Sequence, residues 1–363
     1  MESNIVFGVG LHAIGGIAAS TCFVPQKFTS KWSYQTSWMI IFTVAWFIAP
    51  ILTAALTVPN LWQVITEVDQ KVLTQTTLLG GIYGFGGMAF ALAIRHIGFS
   101  LTYSIAIGIS AVLGTVIPPL LAGTLMETFS QAGGNILVAG FLISIIGICL
   151  CGYAGALKEK ELSGSGSDFD LKKGLSLVLI AGVLSAVFGI SLSVGAPIDA
   201  VAADHGAGSF SSNATYIFAM GGSFLVNLIW WSVAHTRQQT WSEFKKIPSS
   251  DSGRGKLLLP YYGLAILAGI LWYVQFFFYG MGHVHMGDAK FISWGIHMAM
   301  LIFFSFGIGL ILKEWKGLSL KTITVLIVGL CILVTSFACI TYGGLVAQQA
   351  AEASGKPVEV PSH

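Results

Sequence analysis

Charge is scarce in this sequence. Of 363 residues only 9% are Asp, Glu, Lys or Arg, while 55% are hydrophobic, and the mean hydropathy is +0.79. Soluble globular domains carry roughly 25% charged residues, so a soluble fold is excluded. The few charges are also unevenly spread. Ten stretches hold none at all, near residues 4–24, 35–58, 74–94, 100–122, 135–156, 174–196, 213–234, 261–282, 291–312 and 322–344. Each is long enough to cross about 30 Å of hydrocarbon as a helix. Almost nothing remains for a globular domain, and the chain reads as an all-α polytopic membrane protein with ten transmembrane helices.

Other absences narrow the function. The five cysteines, Cys22, Cys149, Cys151, Cys331 and Cys339, all fall inside apolar stretches, where they serve as small hydrophobes and not as a disulfide framework or a metal pair. His283 and His285 point to different sides of a helix, which argues against a metal site. The stretches contain no carboxylate and no i, i+4 His pair, so the groups that an intramembrane enzyme would need are missing, as is a counter-charge for a cationic cargo. The first stretch has no basic n-region and too long an apolar run for an h-region, so it is expected to stay in the mature protein. Asn213-Ala-Thr matches a glycosylation sequon, which we take as chance.

Basic residues give an orientation. Fifteen of the eighteen Lys and Arg lie in the odd-numbered connections, which places those connections in the cytoplasm and both termini outside. The net charge of +2 hides this asymmetry, and the basic residues therefore mark topology and give no sign of a nucleic-acid partner.

What is present is concentrated between Gly269 and His297. On a helix of 3.6 residues per turn, Trp272, Gln275, Phe276, Tyr279 and His283 fall on one stripe. Ser293, Trp294 and His297 share a face on the next span in the same way. The rings offer flat faces to the C–H side of a pyranose, and the amide, hydroxyl and imidazole groups offer partners to its hydroxyls. The alternative is an aromatic packing seam between helices. His12 stands in the first span among Gly8, Gly15, Gly16, Ala19 and Ser20, small residues that let a neighbouring helix approach closely. His12 and His297 are the candidate proton-coupling groups, because intramembrane ionisable residues are functional candidates by default. No cofactor is expected beyond the coupling ion, a proton, with Na⁺ as the alternative. Nothing in the sequence sets an oligomeric state.

Shifting the sequence by 188 residues lays Gly81 on Gly269, Phe90 on Phe278, Arg95 on His283, Tyr103 on Phe291 and Ile109 on His297. Since this offset spans five helices, the second copy is inverted, the signature of an inverted-repeat transporter with its site at the repeat interface. The expected organisation is a first five-helix repeat over 1–157, a flexible cytoplasmic linker over 158–173, a second five-helix repeat over 174–346 and a disordered polar tail over 347–363. Trp38, Trp46 and Trp62 suit anchoring at the membrane interface, Pro50 suits a kink, and Pro118 and Pro119 suggest a helix that rocks or unwinds. Asp199 and Asp204 read as solvated loop residues.

The segment W-Y-V-Q-F-F-F-Y-G-M-G-H at Trp272–His283, I-S-W-G-I-H-M at Ile292–Met298, L-K-E-W at Leu312–Trp315, I-A-I-G-I at Ile105–Ile109 and N-L-W around Trp62 resemble the L-rhamnose-proton symporters, a ten-helix group of the drug/metabolite transporter superfamily. The resemblance covers nearly the whole length. It implies secondary active uptake of L-rhamnose, or of related deoxysugars, across a bacterial inner membrane. Another small-molecule carrier or exporter of the same fold is the first alternative, an intramembrane enzyme or receptor the second. The polar C-terminal tail and the H-V-H-M-G-D hinge depart from the family pattern.

Overall fold

The computed structural model describes residues 5–121, 123, 125–162, 169–246, 258–286 and 293–353. All regular elements among them are helical. They run α1 (Ile5–Thr21), α2 (Tyr34–Thr43), α3 (Ala49–Thr57), α4 (Leu61–Glu67), α5 (Gln70–Leu121), α6 (Leu125–Ser130), α7 (Gly134–Leu162), α8 (Leu171–Val194), α9 (Ala196–Asp204), α10 (Ser212–Gln238), α11 (Leu258–His285), α12 (Ser293–Ile311) and α13 (Leu320–Ala353). Eight stretches of the described residues are long and apolar enough to cross a membrane, and a shorter apolar helix spans Ile296–Ile311. In lipid the helix satisfies its own backbone, and this is why so little charge suffices to hold the chain in one form.

Without water to drive helices together, close backbone approach and interhelical hydrogen bonds hold the bundle. On α5 and α10 the glycines are reciprocal: a Cβ on Gly80 would stand 1.9 Å from the Ala219 carbonyl oxygen, and one on Gly222 would stand 1.9 Å from that of Thr77. The same pair is tied by Ser223 Oγ donating to the Gly80 carbonyl at 2.7 Å and Asn227 Nδ2 to that of Gly84 at 3.0 Å. Helix α1 is brought against α11 and α12 by the small residues on one of its sides. A Cβ on Gly15 would lie 3.0 Å from the Gln275 carbonyl oxygen and 3.1 Å from His297 Cε1, and Ser20 Oγ donates to the Leu301 carbonyl at 3.1 Å. Helices α7 and α13 pack along Gly140 and Gly147, while Leu142, Ile145 and Ile146 on the other side of α7 remain exposed, as a lipid-facing surface requires.

Two interruptions shape the interior. Pro50 has no N–H to give to the preceding turn, and Val44–Ile48 forms a π-helical turn between α2 and α3, directly before it. In α5 the break falls at Gly98, whose φ of 83° and ψ of 177° lie where only glycine is comfortable. The His96 carbonyl beside the break accepts from Asp170 N at 3.2 Å. Helix α5 itself continues across Pro118 and Pro119 to Leu121.

Three expectations need correction. Trp38 and Trp46 are 0% and 1% exposed and belong to the core, with only Trp62, 76% exposed, left to an interfacial role. Asp199 is half-buried and accepts from Ser212 Oγ at 3.1 Å and from Thr215 Oγ1, because α9 folds back onto the start of α10; Asp204 is exposed as expected. The last helix runs past Val346 to Ala353, while 354–363, like the hinge over 287–292, lie outside the described residues.

Candidate functional site

Five helices enclose one cavity. Its walls come from Cys22 and Phe23 just after α1, from Tyr83, Gly87 and Phe90 before the α5 break, and from Tyr103, Ile107 and Ser110 after it. Ser185 and Phe188 of α8 close one side; Trp272, Gln275, Phe276 and Tyr279 of α11 and His297, Met298 and Leu301 of α12 close the other. The empty space inside and at its mouth is about 690 Å³, in the size range of small-molecule sites. None of these wall residues is Asp, Glu, Lys or Arg, so the cavity suits a neutral ligand.

The α11 stripe reaches this cavity as its period requires. Trp272, Gln275, Phe276 and Tyr279 are each less than 9% exposed, and all four line the space. Trp272 is held by other rings: Phe23 at 4.8 Å between centroids, Trp38 at 5.3 Å and Trp46 at 5.4 Å. Phe276 meets Phe188 at 5.1 Å, and Phe188 meets Tyr83 at 4.4 Å. Aromatic faces therefore surround the space, and Gln275, Ser110, Ser185 and His297 are among the polar side chains in its wall. Tyr103 donates its hydroxyl to the Ala19 carbonyl, and Cys22 Sγ donates to the same oxygen at 3.0 Å, which fixes both side chains against α1.

His12 and His297 come together although 285 positions separate them in the chain. Their ring centroids are 5.7 Å apart, and Tyr279 lies 5.4 Å from the first and 5.2 Å from the second. His12 is 0% and His297 2% exposed. Neither His12 ring nitrogen, nor His297 Nδ1, makes a hydrogen bond to protein. His297 is in the cavity wall, and His12 stands behind it on α1.

Not every expected residue reaches the cavity. Ser293 is fully buried in the first turn of α12 and is not part of the wall. Trp294 belongs to the same helix, but its side chain lies outside the described residues. His283 stacks on Tyr279 at 6.0 Å, beyond the cavity wall. Among the described residues no three His, Cys, Asp or Glu side chains stand close enough to hold a metal ion.

Several wall residues were missed, and a signal for some existed. Tyr83, Gly87 and Phe90 fall at i, i+4 and i+7, as do Tyr103, Ile107 and Ser110, so each arm of α5 carries its own stripe. The 188-residue shift sets Gly87 on Gln275 and Ser110 on Met298, and all four are wall residues. Ser185 and Phe188 offered no such pointer.

Comparison with known proteins identifies the family. The family of the L-rhamnose-proton symport protein (RhaT) matches residues 1–347. The chain is 32% identical over 337 residues to the L-rhamnose-proton symporter of Pectobacterium carotovorum subsp. carotovorum (strain PC1), covering 92% of this chain and 96% of that protein. It is 32% identical over 349 residues to the L-rhamnose-proton symporter of Yersinia pestis (strain Pestoides F), covering 96% of this chain and 100% of that protein.

Proposed function

The chain belongs to the L-rhamnose-proton symport family, and from that premise we propose that L-rhamnose and a proton cross the membrane together through the cavity between α1, α5, α8, α11 and α12. It is a transporter and not an enzyme. The sugar is held at Trp272, Gln275, Phe276 and Tyr279, with ring faces against its C–H surface and Gln275 at its hydroxyls. The proton is carried at His297, with His12 as its neighbour; Na⁺ is the alternative ion. The observation that carries this reading is the meeting of a charge-free aromatic cavity with two buried histidines, of which both His12 ring nitrogens and His297 Nδ1 lack protein partners. A buried polar group without a partner is costly, and a transported proton together with a sugar hydroxyl gives it one.

Counting the two arms of α5 as separate crossings and adding α12 to the long helices gives the ten crossings of two inverted five-helix repeats. Contact pairing supports this. If α1 corresponds to α8, α2 and α3 to α10, the α5 arms to α11 and α12, and α7 to α13, then the packing of α1 on α11 and α12 has its image in α8 on α5. Likewise α2 on α11 has its image in α10 on α5, and α7 on α13 is its own image. The cavity then lies at the repeat interface, where inverted-repeat carriers bind their loads. We place the protein in a bacterial inner membrane with both termini periplasmic, on the distribution of Lys and Arg.

One proton entering down about 100 mV supplies roughly 2.3 kcal/mol, enough for an approximately 50-fold sugar gradient, so a single titrating site suffices. The experiment that tests the sugar site is equilibrium binding to Gln275→Leu. Loss of one hydrogen-bonding partner in a buried polar site costs about 1–3 kcal/mol, so L-rhamnose binding weakens by roughly 5-fold to 150-fold while the protein still inserts. Unchanged affinity would return the α11 stripe to helix packing.

A further inference from the structure

Three glutamates at the lysine-rich end of the bundle cap helices that belong to the other half of the chain. Glu314, just beyond α12, accepts from Phe99 N at 2.8 and 3.1 Å and from Ser100 N at 3.4 Å. Glu243, between α10 and α11, accepts from Ser33 N at 2.8 Å and from Ser33 Oγ and Thr36 Oγ1 at 2.7 Å each, at the start of α2. Glu161, at the end of α7, accepts from Ser319 N and Ser319 Oγ at 2.6 Å each, at the start of α13. A helix start needs only a local cap, as α8 has in Asp170, which accepts from Lys173 N at 3.0 Å. Caps reached across 158 to 215 residues of sequence therefore do more than finish a helix. They tie the two halves of the chain together at one end.

Glu314 differs from the other two. Its site is the break inside α5, where the Gly98 conformation frees the amides of Phe99 and Ser100 from the helix. A Cβ at Gly98 would stand 2.8 Å from Glu314 Oε2, so glycine is required here both for the turn and for the approach of the carboxylate. The neighbouring Trp315 donates its Nε1 to Ser100 Oγ at 3.1 Å. Lys158, 4% exposed, lies over the Trp315 ring at 4.4 Å and over Phe169 at 5.0 Å, and among the described residues no direct ion pair joins it to Glu314. The carboxylate is thus held by backbone amides, bonds that can open without separating a buried ion pair.

The two elements joined in this way are both cavity walls. The α5 arm beyond Gly98 contributes Tyr103, Ile107 and Ser110, and α12 contributes His297, Met298 and Leu301. A carrier that exposes its site to each side in turn must part its walls at one end while the other end closes. We propose that Glu314 is a positioning residue for symport: an inner latch whose bonds to Phe99 and Ser100 hold the lysine-rich end of the cavity shut while sugar loads from the opposite side. When the latch opens, α12 and the second arm of α5 separate at that end, and the freed carboxylate meets Lys158, which already lies against Trp315. Glu243 and Glu161 hold the same end at α2 and α13.

That the lysine-rich end is cytoplasmic rests on the proposed topology, and the experiment separates the two ideas. Cys22 lines the cavity and serves as reporter, with Cys149, Cys151, Cys331 and Cys339 replaced by Ala and a Cys22→Ser variant as the blank. A membrane-impermeant maleimide is applied to right-side-out and to inside-out vesicles, with and without L-rhamnose. Glu314→Gln keeps the size and one acceptor oxygen but removes the charge. Labelling of Cys22 from the cytoplasmic side is expected to rise on the order of 10-fold. The half-saturation for uptake should rise by a similar factor, because fewer molecules await sugar outside, while that for efflux does not rise. Trp315→Phe, a milder change, should shift both readings the same way by about 5-fold. A merely structural defect would lower activity from both sides equally. A rise from the periplasmic side only would leave the latch standing and overturn the topology. If Glu314→Gln does not fold, Trp315→Phe decides; Cys22 labelling unchanged from both sides in every variant that folds overturns the latch.

Discussion

Replacing Gly222 by Ala should destabilise the protein strongly, whereas the same change one residue earlier, at Gly221, should not. Both residues lie inside α10, and in both cases alanine gains about 0.8–1.0 kcal/mol of helix propensity. Around Gly221 an added Cβ meets nothing within 4 Å, but at Gly222 it would lie 1.9 Å from the Thr77 carbonyl oxygen and 2.7 Å from Gly81 N. Ordinary contact begins near 3.4 Å, so α5 and α10 would have to part by about 1.5 Å. Backbone cannot give way as a side chain can. At that separation Ser223 Oγ to Gly80, now 2.7 Å, and Asn227 Nδ2 to Gly84, now 3.0 Å, both pass beyond hydrogen-bond range. Overpacking costs about 1–3 kcal/mol, and each interhelical bond adds about 0.6–1.7 kcal/mol. The net loss for Gly222→Ala is therefore about 1–6 kcal/mol, against a neutral or slightly stabilising Gly221→Ala. Thermal unfolding in detergent, followed by tryptophan fluorescence, reads both. Equal transition temperatures for the two variants would refute the close crossing.

Two further outcomes are expected. A membrane-impermeant thiol reagent should label Cys introduced at Ser3 or Ser354 in whole cells and miss Cys at Ser165; the reverse pattern would invert the topology. Asp199→Ala should lower stability by about 1–3 kcal/mol, because Ser212 loses its acceptor and Thr215 is left with the Gly195 carbonyl alone, with Asp199→Asn milder; melting curves matching the wild type would return Asp199 to the surface.

Local patterns were legible and long-range ones were not. The stripe Trp272, Gln275, Phe276, Tyr279 follows from helix period alone, and all four reach the cavity. Ser293 shows the limit of the same argument, since a face shared with His297 on a helical wheel does not fix which neighbour each residue meets at a helix end. Trp38 and Trp46 were misplaced because tryptophan in an apolar span serves an interface or a core equally well, and only the packing of Phe23 on Trp38 and of Trp272 on both decides. Asp199 was misread because nothing local reveals that α9 folds onto α10. The small residues of α1 showed that a helix would pack there, but not that His297 would be the residue facing His12. Likewise the hinge near residue 98 was visible as a gap between apolar spans, while the carboxylate that fills it comes from 215 residues away.

Coupling of sugar to proton at the two histidines is tested most directly by sugar-driven proton uptake. Vesicles carrying the wild type, His297→Gln or His12→Gln are placed in weakly buffered medium, L-rhamnose is added, and the external pH is recorded together with exchange of labelled sugar. His297 stands in the cavity wall beside Gln275 and Tyr279, so protonation there and sugar binding should favour each other by the same factor. His297→Gln should keep sugar exchange and lose alkalinisation. Alkalinisation that persists at wild-type rate in His297→Gln would remove this histidine as the carrier, and its persistence in the His12 variant as well would contradict coupling at the pair.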